Sequence, residues 1–336
     1  MSRARWAALA RAGRRTNVAL LWLVIAAFLS GWVAFAFGTP TPARIATTIH
    51  GLLGLSVVAL APWKTMIIRR STMRWASLVL LSIVIAGLVG GFAQFFVGWR
   101  LVLGISPIQV HVGAAVILIP LLAWHVLRHR RQRLRRTDLS RRMLLRGAAL
   151  AGAVGAGFVV LDIASRWTGG RGRIATSTGS RPVDADAIPA TIWLLDRVPE
   201  LAAAYPVEVA GRTFSARDLA EQAEPVAARL DCTSGWFADA TWSGRRLTDL
   251  ISPEALAGAA SLVVTSATGY QRAFPAADAA TLWLVVACQG RPLSAVNGAP
   301  VRLVAPGRRG FWWVKWVARV ELSDAPGWRQ LPFPVQ

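Results

Sequence analysis

The first half of the chain alternates long apolar runs with short clusters of basic residues. Four uncharged runs, at 16–43, 45–63, 75–99 and 101–127, are interrupted only by histidines. Each can cross a hydrocarbon core of about 30 Å, which takes about 20 helical residues. Pro107 predicts the start of the fourth helix, because proline fits the first helical turn.

The pattern changes towards the C-terminus, where short runs of β-branched and aromatic residues lie between turn residues. Ser215 and Asp218 form a capping-box pattern that predicts a helix at 216–222. Residues 166–182, rich in Gly, Ser, Thr and Arg, indicate a linker. Strands are predicted at 226–232, 261–265, 281–287, 301–305 and 312–322. The predicted fold is therefore multi-domain: an all-α transmembrane bundle at 17–128, then a β-rich α+β domain at 183–336.

The distribution of charge sharpens this division. The chain has 336 residues, 54% of them hydrophobic, and a net charge of +21. Residues 1–174 hold 23 Lys and Arg against two acids, whereas residues 175–336 hold 15 of each sign. Excess positive charge between apolar runs is typical of a multi-span protein in a lipid bilayer, and it argues against a nucleic-acid partner.

The basic residues also orient the bundle. Eighteen Lys and Arg lie in the N-terminal tail, after the second run and at 128–146, against only Arg44 and Arg100 on the opposite side. Since positive loops stay in the cytoplasm, the tail at 1–16 and the end of the fourth helix are predicted to be cytoplasmic. The chain is thus predicted to be a multi-pass protein of a cell membrane.

A fifth apolar run, at 147–161, follows the string Ser-Arg-Arg-Met-Leu-Leu-Arg at 140–146. This string resembles the bacterial twin-arginine export signal. The alternative is an ordinary basic cytoplasmic loop, in which arginine pairs are common. On the export interpretation, residues 129–165 carry the signal and a fifth, uncleaved anchor segment, and the C-terminal domain is extracytoplasmic.

Histidines inside a bilayer are candidates for function, because ionisable side chains are unfavourable there. His50 and His111 lie on helices that run in the same direction, each within about 10 Å of the predicted outer boundary. Two such histidines at one depth predict the axial ligands of a b-type haem. The alternative is a pair of core histidines that hydrogen-bond to neighbouring helices.

His125 lies 14 residues after His111, on nearly the same helix face and about 21 Å deeper. This spacing resembles the two-histidine helix of membrane cytochromes b that stack two haems. The equivalent position on the second helix is Lys64. His125 is therefore a further candidate haem ligand, with a role as a core histidine equally open.

The C-terminal domain offers a late basic cluster and two cysteines. Arg302, Arg308, Arg309 and Lys315 lie near Gly-rich turns, a pattern that suits a phosphate or another anion, or else a solvated surface. The chain's two cysteines are too few for a disulfide scaffold or a CxxC zinc site. They can still act singly or as one disulfide pair.

Three blocks resemble the molybdopterin-binding domain of the sulfite oxidase family. They are LDCTSGWFADATWSGRRLTDLI at 230–251, VTSATGYQRAF at 264–274 and NGAPVRLVAPGRRGFWWVKWVARVEL at 297–322. The family includes sulfite oxidases, eukaryotic nitrate reductases and periplasmic methionine sulfoxide reductases. The resemblance covers about 120 residues, in the family's order.

The resemblance implies a set of site residues. Cys232 stands where the family's catalytic cysteine binds molybdenum, and a thiolate is a suitable donor for a metal held by a dithiolene. Arg302 and Lys315 match residues that contact the cofactor. Asn297 stands where the family has histidine, and no counterpart of the family's N-terminal Arg/Asn/His segment is found.

These observations together predict a membrane-bound molybdopterin-dependent oxidoreductase. It would transfer oxygen atoms outside the cytoplasm, on a small-molecule or protein-sulfoxide substrate. A haem b would relay electrons to or from a quinone or other redox carrier. The alternative is a metal-free domain of the same fold that acts as a docking module on a membrane cytochrome.

Overall fold

A computed structural model describes residues 13–36, 39–69, 74–128, 141–167, 177–192 and 197–330. The chain divides into a helical unit that ends at Gly179 and a sheet-rich unit that begins at Ser180. This division confirms the predicted fold class.

The helical unit contains five long helices, each long and apolar enough to cross a membrane. They are α1 (Arg14–Ala36), α2 (Pro40–Arg69), α3 (Arg74–Phe96), α4 (Pro107–Arg128) and α5 (Arg141–Trp167). Helix α2 begins earlier than its apolar run, because the charge of Arg44 interrupts the run but not the helix. Helix α5 likewise extends the 15-residue apolar run to 27 residues.

The fourth helix begins at Pro107, as predicted, and it has a side-chain cap. The Ser106 backbone N–H donates to Gln109 Oε1 at 2.7 Å, and the Gln109 N–H donates back to Ser106 Oγ at 3.4 Å. This reciprocal pair satisfies donors that the first helical turn leaves unpaired.

The second unit contains eleven described strands and three short α-helices. The strands are β1 (Arg181–Pro182), β2 (Val207–Val209), β3 (Arg212–Phe214), β4 (Glu224–Asp231), β5 (Trp236–Arg246), β6 (Ser261–Ser266), β7 (Gln271–Pro275), β8 (Trp283–Cys288), β9 (Arg291–Pro292), β10 (Arg302–Val304) and β11 (Val317–Ser323). The helices are α6 (Ala216–Glu221), α7 (Leu247–Leu250) and α8 (Pro253–Ala257).

The strands form two sheets. In the first, β5 pairs with β1, β4 and β8, and β8 pairs in turn with β9 and β10. The second has the order β3-β2-β11-β6-β7, in which only β2 and β11 run parallel. Fully buried side chains from both sheets, among them Trp242, Leu284, Leu303, Val207 and Val264, form the core.

The structure confirms one local prediction in this unit and corrects another. The capping box of Ser215 and Asp218 is present at α6, as predicted. The predicted strand at 312–322 is wrong in its first half, where Gly310–Trp312 forms a 3-10 turn and the strand begins only at Val317. Trp316 has a φ of +53°, which ends any extended backbone before that point.

Candidate functional site

Cys232 lies in the turn that joins β4 to β5. Its backbone N–H donates to the Trp236 carbonyl at 2.8 Å, and its carbonyl accepts from Gly235 N–H at 3.2 Å. Gly235 has a φ of +89°, which favours glycine at this tight turn. The Cys232 residue is buried, with the Ser234 N–H 3.5 Å from its Sγ. The hairpin thus holds a thiol at a defined place at the end of the first sheet.

A buried ion pair supports this turn. Arg309 donates to Asp231 Oδ1 at 2.7 Å, and both side chains are at most 10% exposed. Ser180 Oγ donates to the same oxygen at 2.6 Å. A Cβ added at Gly310 would lie 3.1 Å from Cys232 Cα, so the 309–310 backbone packs directly against the thiol-bearing turn. The residue next to Cys232 is therefore anchored by two partners distant in sequence.

Arg302 starts β10 and is buried, with 2% of its surface exposed. Its guanidinium lies over the rings of Trp242 and Trp313, at 5.3 and 5.7 Å from their centroids. One terminal nitrogen donates to the Asn297 carbonyl at 3.0 Å. Among the described residues no carboxylate pairs with Arg302, and its Nε has no hydrogen-bond partner. A buried cation in this state has capacity for an anionic ligand.

The two thiols influence this cation electrostatically. Burial lowers the pKa of Arg302 to about 10, while interactions with Cys232 and Cys288 oppose that change. Burial also raises the pKa of the Cys288 thiol to about 11, despite the opposing effect of Arg302. Both cysteines are free thiols, so the disulfide alternative is not formed in this structure. Arg302 therefore lies within the electrostatic reach of Cys232, its predicted partner in cofactor binding.

Lys315 lies in a second cluster next to Arg302. Its Nζ donates to the carbonyls of Thr191 and Val296 at 2.7 and 2.6 Å. Gly298, with a φ of +107°, fits between the two basic residues, because its added Cβ would lie 3.2 Å from Cβ atoms of both Arg302 and Lys315. The loop at 294–299 is thus tied to both predicted cofactor contacts through its backbone.

Thr191 links this cluster to the cysteine turn, and sequence reasoning missed it. Its hydroxyl accepts from Trp236 Nε1 at 3.1 Å, while its carbonyl accepts from Lys315. Trp242 and Trp313 were missed as well, although they lie within the strings GWFADATW at 235–242 and GFWWVKW at 310–316. No spacing rule connects an arginine with two rings that cover it from β5 and from the turn at 310–313.

The predicted basic cluster separates into different roles. Arg309 pairs internally with Asp231, and Arg308 pairs with Asp278 at 2.6 Å. These pairs correct the expectation that all four basic residues face one anion. Arg302 has no carboxylate partner among the described residues, and Lys315 donates to two backbone carbonyls.

These residues fit a molybdopterin with a single protein ligand to the metal. A lone thiol can hold a metal that brings its other donors, as a dithiolene does. The buried guanidinium, with its unused Nε, supplies a cation for the anionic cofactor. The glycines at 298 and 310 bring backbone close to Arg302 and Cys232 respectively.

In the helical unit, the structure brings His50 and His111 together. Their Nε2 atoms lie 3.3 Å apart, and the rings are nearly perpendicular, at 86°. His50 Nδ1 lies 2.9 Å from the Ala27 carbonyl, and His111 Nδ1 lies 2.7 Å from the Gly87 carbonyl. An Nδ1–H donated to a carbonyl leaves the Nε2 lone pair available to a metal.

Glycines surround this pair. A Cβ on Gly31 would lie 2.9 Å from the His50 ring, and one on Gly91 would lie 3.0 Å from the His111 ring. At Gly90 the added Cβ would meet the backbone of α4, 2.7 Å from the Pro107 carbonyl. The facing Nε2 atoms make His50 and His111 candidates to hold one metal between them.

His125 lies far from this pair, in a cavity of about 210 Å³ that Lys64 and Asn17 also line. Lys64 Nζ donates to Asn17 Oδ1 at 3.0 Å. His125 is the only histidine that lines this cavity among the described residues, so a second bis-histidine site is not formed there. Ser140 of the export string lies outside the described residues, as do residues 129–139 before it.

Comparison with known proteins bears on the second unit. Residues 197–330 match the family model for the oxidoreductase molybdopterin binding domain. Solved structures that match include the sulfane dehydrogenase SoxCD from Paracoccus pantotrophus, at 24% identity and a TM-score of 0.34. That match covers 38% of this chain and 40% of the SoxCD chain. No curated protein matches the chain significantly.

The matched residues include the cysteine turn, Arg302, Lys315 and the loop at 294–299. The match begins after the helical unit and ends at residue 330. Residues 197–330 of this chain are therefore similar to oxidoreductase molybdopterin-binding domains.

Proposed function

We propose that this chain is a membrane-bound, molybdopterin-dependent oxidoreductase that transfers oxygen atoms outside the cytoplasm. The observation that carries the proposal is Arg302, a buried cation without a carboxylate partner among the described residues, within electrostatic reach of Cys232. It lies in the domain that matches the molybdopterin family model.

Each residue of the cluster has a role in this proposal. Cys232 supplies a thiolate to the metal, held in place by the ion pair of Asp231 and Arg309. Arg302 binds the anionic part of the cofactor, and Lys315 orders the 294–299 loop through its two carbonyl contacts. Asn297 presents an amide where the family has histidine. When bound, the cofactor supplies two-electron oxygen-atom transfer, with a small molecule or a protein sulfoxide as substrate.

The helical unit carries electrons in this proposal. His50 and His111 bind a haem b through their facing Nε2 atoms, while the Ala27 and Gly87 carbonyls orient the rings. When bound, the haem supplies one-electron transfer between the molybdenum domain and a quinone or another redox carrier. The five apolar helices anchor the chain in the cell membrane, with a cytoplasmic N-terminus and an extracytoplasmic C-terminal domain.

The test is the metal and haem content of the full-length protein, purified in detergent from cells that make the cofactor. We expect close to one molybdenum per chain and a reducible b-type spectrum that His50→Ala or His111→Ala removes. His125→Ala should leave that haem in place. Protein without molybdenum would instead favour the docking-module alternative, and full haem in folded His50→Ala protein would contradict the haem ligands.

A further inference from the structure

The cavity of about 210 Å³ in the helical unit has one polar end and one apolar end. Side chains from α1, α2, α3 and α4 line it. The polar ones are Asn17, Lys64, Ser77 and His125, one from each helix, and all the others are aliphatic.

The four polar residues lie at the same end of the bundle. On α1, Asn17 precedes the lining residue Val24 by seven positions, and on α2, Lys64 follows Val57 by seven. Neighbouring helices run in opposite directions, so these offsets point the same way. At 1.5 Å per residue, the cavity extends about 10 Å from its polar end into apolar surroundings.

The apolar end points towards the histidine pair. Val57 follows His50 by seven residues on α2, and Leu118 follows His111 by seven on α4. This separation is about 10 Å along each helix. A redox-active ring in the cavity would therefore lie between the polar end and the proposed haem.

We propose that this cavity binds the ring of a lipid-soluble quinone, an inference that rests on the proposed haem relay. Such a ring is apolar on its faces and carries two oxygen atoms that accept hydrogen bonds. Lys64, Ser77 and Asn17 offer donors at the polar end, and His125 offers a group that exchanges protons. Lys64 lies at the predicted cytoplasmic end of the second apolar run, and a half-buried lysine that lines a cavity there is a candidate for function.

The cavity suits a quinone ring better than it suits a second haem or a phospholipid. A second bis-histidine haem needs two imidazoles, and among the described lining residues only His125 supplies one, with Lys64 on the facing helix. A volume of about 210 Å³ lies below the range of about 300–1,000 Å³ typical of larger organic ligands. It suits one ring, with the isoprenoid tail passing between helices into the lipid, better than a whole phospholipid.

The redox step balances with the groups present. Oxidation of a quinol releases two electrons and two protons. A bound haem would accept these electrons one at a time, and His125 would pass the protons to water at the polar end. Reduction of a quinone is the same exchange in reverse.

The experiment uses full-length protein in detergent and decylubiquinone as the probe. Ala61 lines the cavity, so Ala61→Phe should fill it. Val58→Phe adds the same ring on the same helix at an outward position that is 37% exposed. We expect saturable binding to the wild type, at least roughly tenfold weaker binding to Ala61→Phe and Lys64→Met, and unchanged binding to Val58→Phe. The haem spectrum serves as the folding control.

The outcomes separate this inference from the proposed function. Haem without any decylubiquinone binding to the wild type overturns the quinone site. A second haem that His125→Ala removes, or a phospholipid retained in place of quinone, overturns it as well. Binding that Ala61→Phe abolishes in protein without haem supports the cavity assignment while contradicting the haem relay.

Discussion

Arg302 is the residue on which the proposed cofactor binding of the C-terminal domain depends. Its charge is removed from water, covered by two tryptophan rings and balanced by no carboxylate among the described residues. Charge–ring contacts contribute about 2 kcal/mol when desolvated, less than the desolvation of an ion costs. The metal-free domain therefore holds an incompletely compensated charge that an anionic cofactor would neutralise.

Replacing Arg302 should weaken cofactor retention without lowering the stability of the metal-free protein. Arg302→Met keeps much of the volume but removes the cation, so we expect roughly ten- to hundredfold weaker retention of molybdopterin, since a charge-assisted hydrogen bond contributes about 1.5–3 kcal/mol. The metal-free protein should not lose thermal stability. Molybdenum per chain and the Tm of the apo protein measure the two effects. Arg308→Met, at the half-buried pair with Asp278, is the control and should retain molybdenum.

The two cysteines should differ in the same assays. Cys232→Ser removes the proposed metal thiolate, so turnover should be lost while the haem spectrum stays intact. Cys288→Ser should alter neither, because burial keeps the pKa of that thiol at about 11 and it stays protonated at neutral pH. Measuring turnover and molybdenum for both variants side by side decides the assignment. Equal losses of Tm in the two, without loss of metal, would instead indicate a disulfide.

At the scale of elements, two contacts hold the candidate sites. The β4–β5 hairpin presents Cys232, and the buried Asp231–Arg309 pair ties that hairpin to the loop before Gly310. In the helical unit, α3 and α4 approach closely at Gly90, where an added Cβ would meet backbone atoms rather than a movable side chain. Each contact fixes the position of a residue that is proposed to bind a metal, Cys232 in one unit and His111 in the other. Asp231, Arg309 and Gly90 are not themselves proposed to bind it.

The buried ion pair should be far more sensitive to mutation than an exposed one. Arg309→Met removes the cation that compensates the buried Asp231, which we expect to lower the free energy of unfolding by about 3–5 kcal/mol. The pair of Arg229 and Asp239 has side chains at least 50% exposed, so Arg229→Met should cost under about 1 kcal/mol. Thermal unfolding of both variants gives the comparison. Adding Asp231→Leu to Arg309→Met should recover part of the loss, and a double variant worse than the single one would contradict this account.

The close contact between α3 and α4 at Gly90 can be tested with a second matched pair of variants. Gly90→Ala forces α3 and α4 apart, and we expect a loss of about 1–3 kcal/mol together with reduced haem binding at His111. Gly113→Ala, on α4 itself, meets no atom within 4 Å and should be neutral or slightly stabilising. Haem content and Tm in detergent report both effects. Normal haem in the Gly90→Ala protein would show that this approach does not set the His111 position.

At the scale of the whole molecule, charge and hydropathy divide the chain into two parts of different composition. The basic excess and all five apolar helices lie before residue 180, while the matched molybdopterin-binding domain lies after it. An exported domain attached to membrane helices needs both an orientation and an export signal. The basic loops predict the first, and the string at 140–146 predicts the second.

Export of the C-terminal domain should depend on the arginine pair of that string. A reporter that is active only outside the cytoplasm, fused after Gln336, should work in the wild type and fail in Arg141→Lys/Arg142→Lys protein. The first four helices should still insert, because their orientation follows the surrounding charges. Arg130→Lys/Arg131→Lys is the control and should keep the signal. Continued export in a strain without the twin-arginine translocase would refute the signal.

The amino-acid sequence by itself determined the features that depend on neighbours along the chain. The apolar runs predicted the helices, Pro107 predicted a helix start, and Ser215 with Asp218 predicted a cap, because each depends on residues within a few positions of one another. The family resemblance also pointed to the molybdopterin domain, which the match at 197–330 confirms. The haem ligands, the export signal and the roles of the site residues stay predictions.

Only the tertiary structure decided which of the charged residues are available to a ligand. Arg302 and Arg309 look alike in sequence, yet one faces two tryptophans and the other a buried aspartate that is 78 residues away along the chain. The same holds for Thr191 beneath Lys315, for the glycines against His50 and His111, and for the four polar residues that share one end of a cavity. These contacts join positions far apart in sequence, and no local pattern encodes them because packing, rather than spacing, brings the side chains together.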